Sequence, residues 1–290
     1  MIKKGDLYYP SKEFQKKANL SDKKIYKKAE KDPVKFWADL SKELVWSQPW
    51  KEAFSYEPLN IKWFDGGKIN ITENALDRNL KDLPAGQAGR KDKPALIWEP
   101  ESVDEQFKTF TYQQLFLEVN KFANALKKLG VKKGDRVGIY LPIIPEVVIS
   151  MLACARIGAV HSVVFSAFSA AALQARLQDT EAKVLITADG YPRRGKIVDL
   201  KQNANEAVID TKVEKIIVVK RAGNQVSWQD GRDIWFHEIA ENESDVCLPE
   251  PMDSEDLLFI LYTSGSTGKP KGCCHTCAGY AVQAHFTGKW

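Results

Sequence analysis

From residue 93 onward the chain alternates two hydrophobic periods. Short apolar runs suited to strands lie at 95–98, 136–141, 160–165, 183–187, 215–219 and 257–261. Between them the apolar positions recur at helical spacing. Thr109-Phe110-Thr111-Tyr112 leads into a helix that puts Leu115, Val119, Phe122, Ala123 and Leu126 on one face, with Gly130 ending it. The segment 144–156 is apolar nearly all round, which predicts a buried helix. Further helices are expected over 169–177 and 198–209. Strand and helix in alternation predict an α/β fold, with parallel sheets flanked by helices on both faces. Ligands of such sheets bind beyond the carboxyl ends of the strands. That rule puts the loop after Tyr262 and the segment after Asp189 at the functional edge.

The pattern before residue 93 is different. Residues 1–35 are polar, carry eleven lysines against five acidic residues, and are expected to wrap the surface. Asp32-Pro33 reads as a helix start that presents Phe36, Trp37, Leu40 and Leu44 to a core. Trp46, Trp50, Phe54, Trp63 and Phe64 follow closely, and such a cluster packs more often than it cages a ligand. Residues 81–93 form a turn-rich junction. The predicted division is an N-terminal extension over 1–92, docked on a main domain over 93–290.

With 290 residues, 44% hydrophobic and 28% charged, the chain reads as globular rather than disordered. A net charge of +4 is mild. The lysine-rich start lacks interleaved stacking residues, so a solvated surface fits it better than nucleic-acid binding. No apolar run reaches the length of a membrane span, and the first residues lack a signal peptide's apolar core, so a cytoplasmic location is expected. Five cysteines, three of them within Cys273–Cys277, fit reduced thiols better than a disulfide framework.

The densest chemistry lies in Thr263-Ser264-Gly265-Ser266-Thr267-Gly268-Lys269-Pro270-Lys271-Gly272. Four hydroxyls, three glycines and two lysines follow an apolar strand, with no acidic residue among them. Glycines allow the backbone to turn its N–H groups toward one point, and the hydroxyls and ammonium groups add donors, a combination suited to the β- and γ-phosphates of a nucleotide. It is not a Walker A loop, because Thr263 stands at the first glycine position and Pro270 follows Gly268-Lys269. A flexible surface loop is the plainer reading of the same composition.

Tyr191-Pro192-Arg193-Arg194-Gly195-Lys196 follows another strand. Its three cations suit a phosphate-bearing ligand, arginine offering paired bonds, although a solvated basic turn is the ordinary fate of such clusters. Cys273-Cys274-His275-Thr276-Cys277 lacks the second Cys or His pair that structural zinc requires, so buried thiols at a helix start are expected and no metal ligand is assigned. His161 reads as a satisfied core histidine.

The glycine-rich loop resembles the phosphate-binding loop of the adenylate-forming superfamily, which includes acyl-CoA synthetases and firefly luciferases. Leu141-Pro142-Ile143-Ile144-Pro145-Glu146, the stretch from Met151 to Phe165, Ile186-Thr187-Ala188-Asp189 and Trp46-Ser47-Gln48-Pro49-Trp50 are similar to acetyl-CoA synthetases in particular. The resemblance runs from about Tyr9 to Trp290. It implies an acetate–CoA ligase that takes acetate, ATP and CoA, or a related ligase for propionate or another short acid. A non-catalytic fragment that binds CoA or polyphosphate is the alternative of another class. It also implies that Thr263, Ser264, Gly265, Ser266, Thr267, Gly268 and Lys271 hold the ATP phosphates. Arg193, Arg194, Gly195 and Lys196 would contact the nucleotide end of CoA, with Lys196 standing where relatives carry arginine. Phe165-Ser166-Ala167-Phe168-Ser169 resembles a Phe-Gly-Gly-Phe-Ser turn beside the CoA site, Ser169 reading equally as a helix cap. No catalytic residue is assigned. The acyl pocket, adenine contacts and magnesium ligands are expected beyond Trp290, so the chain reads as the truncated first part of such an enzyme, inactive alone and poorly soluble.

Overall fold

A computed structural model describes residues 2–22, 24–81, 90–264 and 268–290. At its centre lies a sheet of seven strands: β1 (Arg136–Tyr140), β2 (Val160–Val163), β3 (Val184–Ala188), β4 (Lys215–Val219), β5 (Asp233–Trp235), β6 (Leu257–Thr263) and β7 (Lys271–Thr276). Their order across the sheet is β5-β4-β3-β1-β2-β6-β7. All neighbours from β5 to β6 are parallel, and β7 closes one edge antiparallel to β6. The chain thus starts mid-sheet at β1, lays β2 on one side and β3 on the other. Where strands diverge in this way, a crevice opens beyond their carboxyl ends.

The helices that matter for the core are α1 (Pro33–Ser41), α2 (Tyr112–Lys128), α3 (Pro145–Arg156), α4 (Ala170–Thr180), α5 (Leu200–Ala207), α6 (Phe236–Glu241) and α7 (Cys277–Lys289). On one face α2 packs against both α3 and α6, while α4 and α5 pack together on the other. The α/β architecture read from the alternation is the one observed. Local chemistry explains why. Thr111 and Gln114 form a reciprocal capping box at the start of α2, with bonds of 3.2 and 2.9 Å. Leu115, Val119, Phe122, Ala123 and Leu126 are all buried, as their spacing predicts. All five residues of β3 are buried, as a strand covered on both faces must be. At Gly138 in β1 a Cβ would lie 2.7 Å from Leu177 Cδ2, so glycine lets α4 close on the sheet.

Four expectations need correction. Lys271–Thr276 is a strand, not the lead-in to a helix, which begins only at Cys277. β6 would otherwise leave a seven-residue edge of unpaired N–H and C=O groups, and pairing with β7 satisfies it. Cys273 and Cys274 are therefore exposed, and only Cys277 of that group is buried. The run 257–261 is likewise not buried throughout, since Leu257 and Leu261 are 38% and 42% exposed. The strand at 160–165 stops at Val163, leaving Phe165 half exposed.

In the N-terminal region, Asp32 caps α1 by accepting from the Lys35 N–H at 2.9 Å. The helix ends at Ser41, and Leu44 reaches the core from the turn beyond it. Phe64 is buried among Trp46, Trp50 and Trp63, with ring centroids 5.7 to 5.9 Å away. This cluster packs against α7 residues Ala278, Ala281, Val282 and Phe286. Polar ties join the same region to the segment before β6: Trp63 N–H donates to Glu255 at 2.7 Å, and Lys68 pairs with Asp253 at 2.7 Å. The short hairpin and helices before α1 bury no side chain among the described residues. Residues 82–89 of the expected turn-rich junction lie outside those residues.

His161 lies in the core against the Phe259 ring, 5.5 Å between centroids, but it is not satisfied: among the described residues its Nδ1 has no hydrogen-bond partner. Burial pushes its imidazole from the ordinary 6.5 down to about 4. Between those values the unfolded chain binds a proton that the folded chain refuses, so stability falls as pH drops through this window. At ~1.4 kcal/mol per unit, the loss should reach about 3 kcal/mol by pH 4. Urea unfolding of the chain and of His161→Leu from pH 7 to 4 checks this; parallel curves would refute it.

Candidate ligand pocket at the carboxyl edge of the sheet

A cavity of about 540 Å³ opens beyond the carboxyl ends of β1, β2 and β3, where the strand order diverges. Pro142, Ile143 and Ile144 after β1 form one wall, and Phe165 and Ser166 after β2 form another. Tyr191, Pro192, Arg193 and Arg194 supply a third, with Trp98, Glu99, Pro100, Glu101 and Arg221 completing it. Exposed Ile143 and Phe165 give it apolar surface, and three arginines outnumber the two glutamates in its lining.

The basic segment is a β-hairpin, which the sequence reading did not foresee. Gly190–Arg193 pairs with Lys196–Asp199, and Arg194 and Gly195 form the two-residue turn, both with positive φ (50° and 75°). That is the backbone of a primed hairpin turn. Gly190 has to be glycine, since a Cβ there would meet Val198 O at 2.7 Å. In this register Arg193 lies directly opposite Lys196, so the two cations share one face of the hairpin. Like charges so placed repel, and a bound anion relieves them. The turn is steadied from outside by Glu101, whose Oε1 accepts the Arg194 N–H at 2.5 Å.

Of the residues expected to contact CoA, Arg193 and Arg194 line the cavity, while Gly195 and Lys196 sit at the exposed turn. Ser166 also lines it; Ala167 is exposed beside it, and Ser169 caps α4 by accepting from the Ala172 N–H. Sequence reasoning missed Trp98 and Arg221. The Trp98 Nε1–H donates to Ile143 O at 2.7 Å, and its ring carries Lys108 at 5.6 Å and Arg221 at 5.2 Å. Arg221 stands two residues past β4, and extending the carboxyl-edge rule to every strand would have found it. Nothing local in the sequence brings Trp98 to the same place.

The glycine-rich segment occupies the same edge of the sheet, further along. Thr263 ends β6 and Lys271 begins β7, paired directly across the hairpin. Opposed residues share a face, so the Thr263 hydroxyl and the Lys271 ammonium stand on the same side. Thr263, Ser264, Gly268 and Lys271 are all exposed. Gly268 has φ of 83°. Gly265, Ser266 and Thr267 lie outside the described residues. These residues do not line the arginine-walled cavity. The strand end itself is braced: Tyr262 OH donates to Asp179, and Arg176 lies 5.3 Å over the Tyr262 ring and 4.7 Å over Phe168. Burial, then the bond to Asp179, pushes the Tyr262 phenol up, so it stays neutral. Burial also pushes the Cys154 and Cys277 thiols up to about 12, which leaves them poor nucleophiles. Among the described residues no helix is long and apolar enough to cross a membrane.

The AMP-binding enzyme family matches residues 84–289 of this chain. The chain belongs to that family. Residues 22–75 match the family described as the acetyl-coenzyme A synthetase N-terminus. The acetyl-coenzyme A synthetase of Rubrobacter xylanophilus is 51% identical over 98% of this chain and 43% of its own length. That of Bdellovibrio bacteriovorus is 47% identical over 97% of this chain and 44% of its own. The solved acetoacetyl-CoA synthetase from Streptomyces lividans superposes with a TM-score of 0.79 at 27% identity, covering 91% of this chain and 40% of that one. The chain therefore spans less than half the length of these AMP-binding relatives.

Proposed function

We propose that this chain carries the CoA-nucleotide pocket and the triphosphate loop of an acetate–CoA ligase. The observation that supports it best is the cavity at the divergence of β1, β2 and β3, lined by Arg193, which shares a hairpin face with Lys196 of the exposed turn, with no acidic partner bonded to either among the described residues. The relatives' names and the matched acetyl-coenzyme A synthetase N-terminus favour acetate as the acid. The assigned division, extension over 1–92 and AMP-binding part over 93–290, belongs to the same reading.

In the proposed reaction a carboxylate oxygen of acetate attacks the α-phosphorus of ATP. The α–β phosphoanhydride bond breaks, giving acetyl-AMP and pyrophosphate. The CoA thiol then loses its proton to solvent as its sulfur attacks the acetyl carbonyl, and AMP leaves with the electron pair of the acyl–oxygen bond. This chain's contribution is to position charge. Thr263, Ser264, Gly265, Ser266, Thr267, Gly268 and Lys271 would donate to the β- and γ-phosphates and stabilise the departing pyrophosphate. Arg193, Arg194, Gly195 and Lys196 would hold the nucleotide end of CoA, Lys196 as a point charge rather than a fork. Among the described residues no group of three or more His, Cys, Asp or Glu is placed to hold a metal. Magnesium belongs to the proposed full-length reaction, and no residue of this chain is assigned to it.

Calorimetry with CoA tests the pocket. The chain should bind CoA in a salt-sensitive manner, and Arg193→Ala should weaken binding by about tenfold or more, the worth of one charge-assisted contact. Unchanged affinity in Arg193→Ala would remove the basis for the reading. Acetate-dependent ATP–pyrophosphate exchange, measured in the same preparation, separates a catalytic chain from one that only binds.

A further inference from the structure

Two loops beyond neighbouring strands converge on one carboxylate that the reaction does not use. Asp189, at the end of β3, is wholly buried. Its Oδ1 accepts the N–H groups of Gly190, Arg221 and Ala222 at 2.7, 2.8 and 2.9 Å, and its Oδ2 accepts that of Gly223 at 2.7 Å. All four donors are backbone groups. The carboxylate therefore governs the course of the main chain rather than neutralising a side chain. It ties the root of the basic hairpin to the turn after β4, and so fixes where Arg221 leaves the backbone.

The Arg221 side chain then returns across the cavity. Its guanidinium donates to Glu105 at 2.6 Å and lies 5.2 Å from the Trp98 ring. A guanidinium has five N–H donors, and among the described residues Glu105 is its one hydrogen-bonded acceptor. The side chain is largely buried yet lines the cavity, so an occupant can reach donors that Glu105 leaves free. An anion there meets a cation already oriented, with little rotamer freedom left to lose.

We propose that Arg221 binds a phosphate group of the ligand in this cavity, and that Asp189 is the positioning residue that holds it there. The proposal rests on the reading of the cavity as the seat of CoA's nucleotide end. Arg221 would grip from the β4 side while Arg193 grips from the hairpin.

Calorimetric titration of the 290-residue chain with CoA, at one ionic strength, tests it. Arg221→Ala should weaken CoA about tenfold to a hundredfold, and Arg221→Lys should recover part of that. Asp189→Asn should weaken it comparably. The double variant Asp189→Asn/Arg221→Ala should bind nearly as well as Arg221→Ala, because nothing is left to position. Additive losses would show Asp189 to be merely structural and overturn that half. If Asp189→Asn does not fold, amide exchange at residues 221–223 in the unaltered chain decides it: fast exchange refutes the anchor. Arg193→Ala is the control. Should it weaken CoA while Arg221→Ala stays within about twofold, the Arg221 proposal fails and the pocket stands. If Arg193→Ala has no effect, the pocket reading fails first.

Discussion

Asp233→Ala should lower the unfolding free energy by about 3–5 kcal/mol, as expected when a buried charge loses its partner. Lys201 and Asp233 are both fully buried at the side chain and sit 2.8 Å apart. Lys201 also donates to Ser227 O at 3.2 Å, and Asp233 accepts from Gln229 N–H at 2.8 Å and Arg232 Nε at 2.7 Å. Burial alone would raise the Asp233 carboxyl, but the bonds from Arg232 and Lys201 outweigh it and hold the carboxyl below its ordinary value. Its stabilising contribution is therefore complete above about pH 4 and fades as pH falls through the lower, folded value. Because α5 begins directly after the basic hairpin, the same variant should also weaken CoA. Denaturant unfolding checks the loss. The double variant Lys201→Met/Asp233→Ala should recover much of it, since an apolar pair carries no desolvation cost. A double variant worse than the single one would contradict this.

Arg156→Ala should cost a similar ~3–5 kcal/mol. Arg156, at the end of α3, is 2% exposed and has no business in an apolar helix unless it is fully bonded. It is: a two-pronged pair with Asp77 at 2.8 and 3.0 Å, Thr72 Oγ1 at 3.1 Å and Cys247 O at 2.6 Å, with the Phe116 ring 5.1 Å away. The residue thus clamps three distant segments of chain onto one helix end. Arg156→Lys should recover little, because an ammonium cannot reproduce the fork. A shift in thermal midpoint of less than a few degrees for Arg156→Ala would show the clamp to be unimportant.

The carboxyl edge of the sheet was legible only in part. The strand before Thr263 and the strand before Asp189 were readable because each is a short apolar run bounded by turn residues. The rule that ligands gather past carboxyl ends then located both basic segments without a coordinate. The same rule did not say which two cations would stand opposite one another. That depends on hairpin register, and Arg194-Gly195 is a weak turn signal beside Asn-Gly.

The residues that sequence reading misplaced or passed over share one property: their state is set by partners far along the chain. Lys271–Thr276 carries no strong strand pattern, and it is a strand because β6 needed an edge partner. Arg156 and Lys201 look like surface residues by type, and only Asp77 and Asp233 let them sink. Trp98 and Arg221 meet across more than a hundred residues.

What the linear order of amino acids determined by itself was the alternation of elements, the caps of α1 and α4, the buried faces of the helices, and the chemistry of two basic turns. Period and propensity are local properties, readable within a few turns. What the tertiary structure alone decided was register, the burial of paired charges and the assembly of one cavity from three strand ends. Those follow from long-range packing, where a group's environment is made by residues that its own neighbours in sequence do not specify.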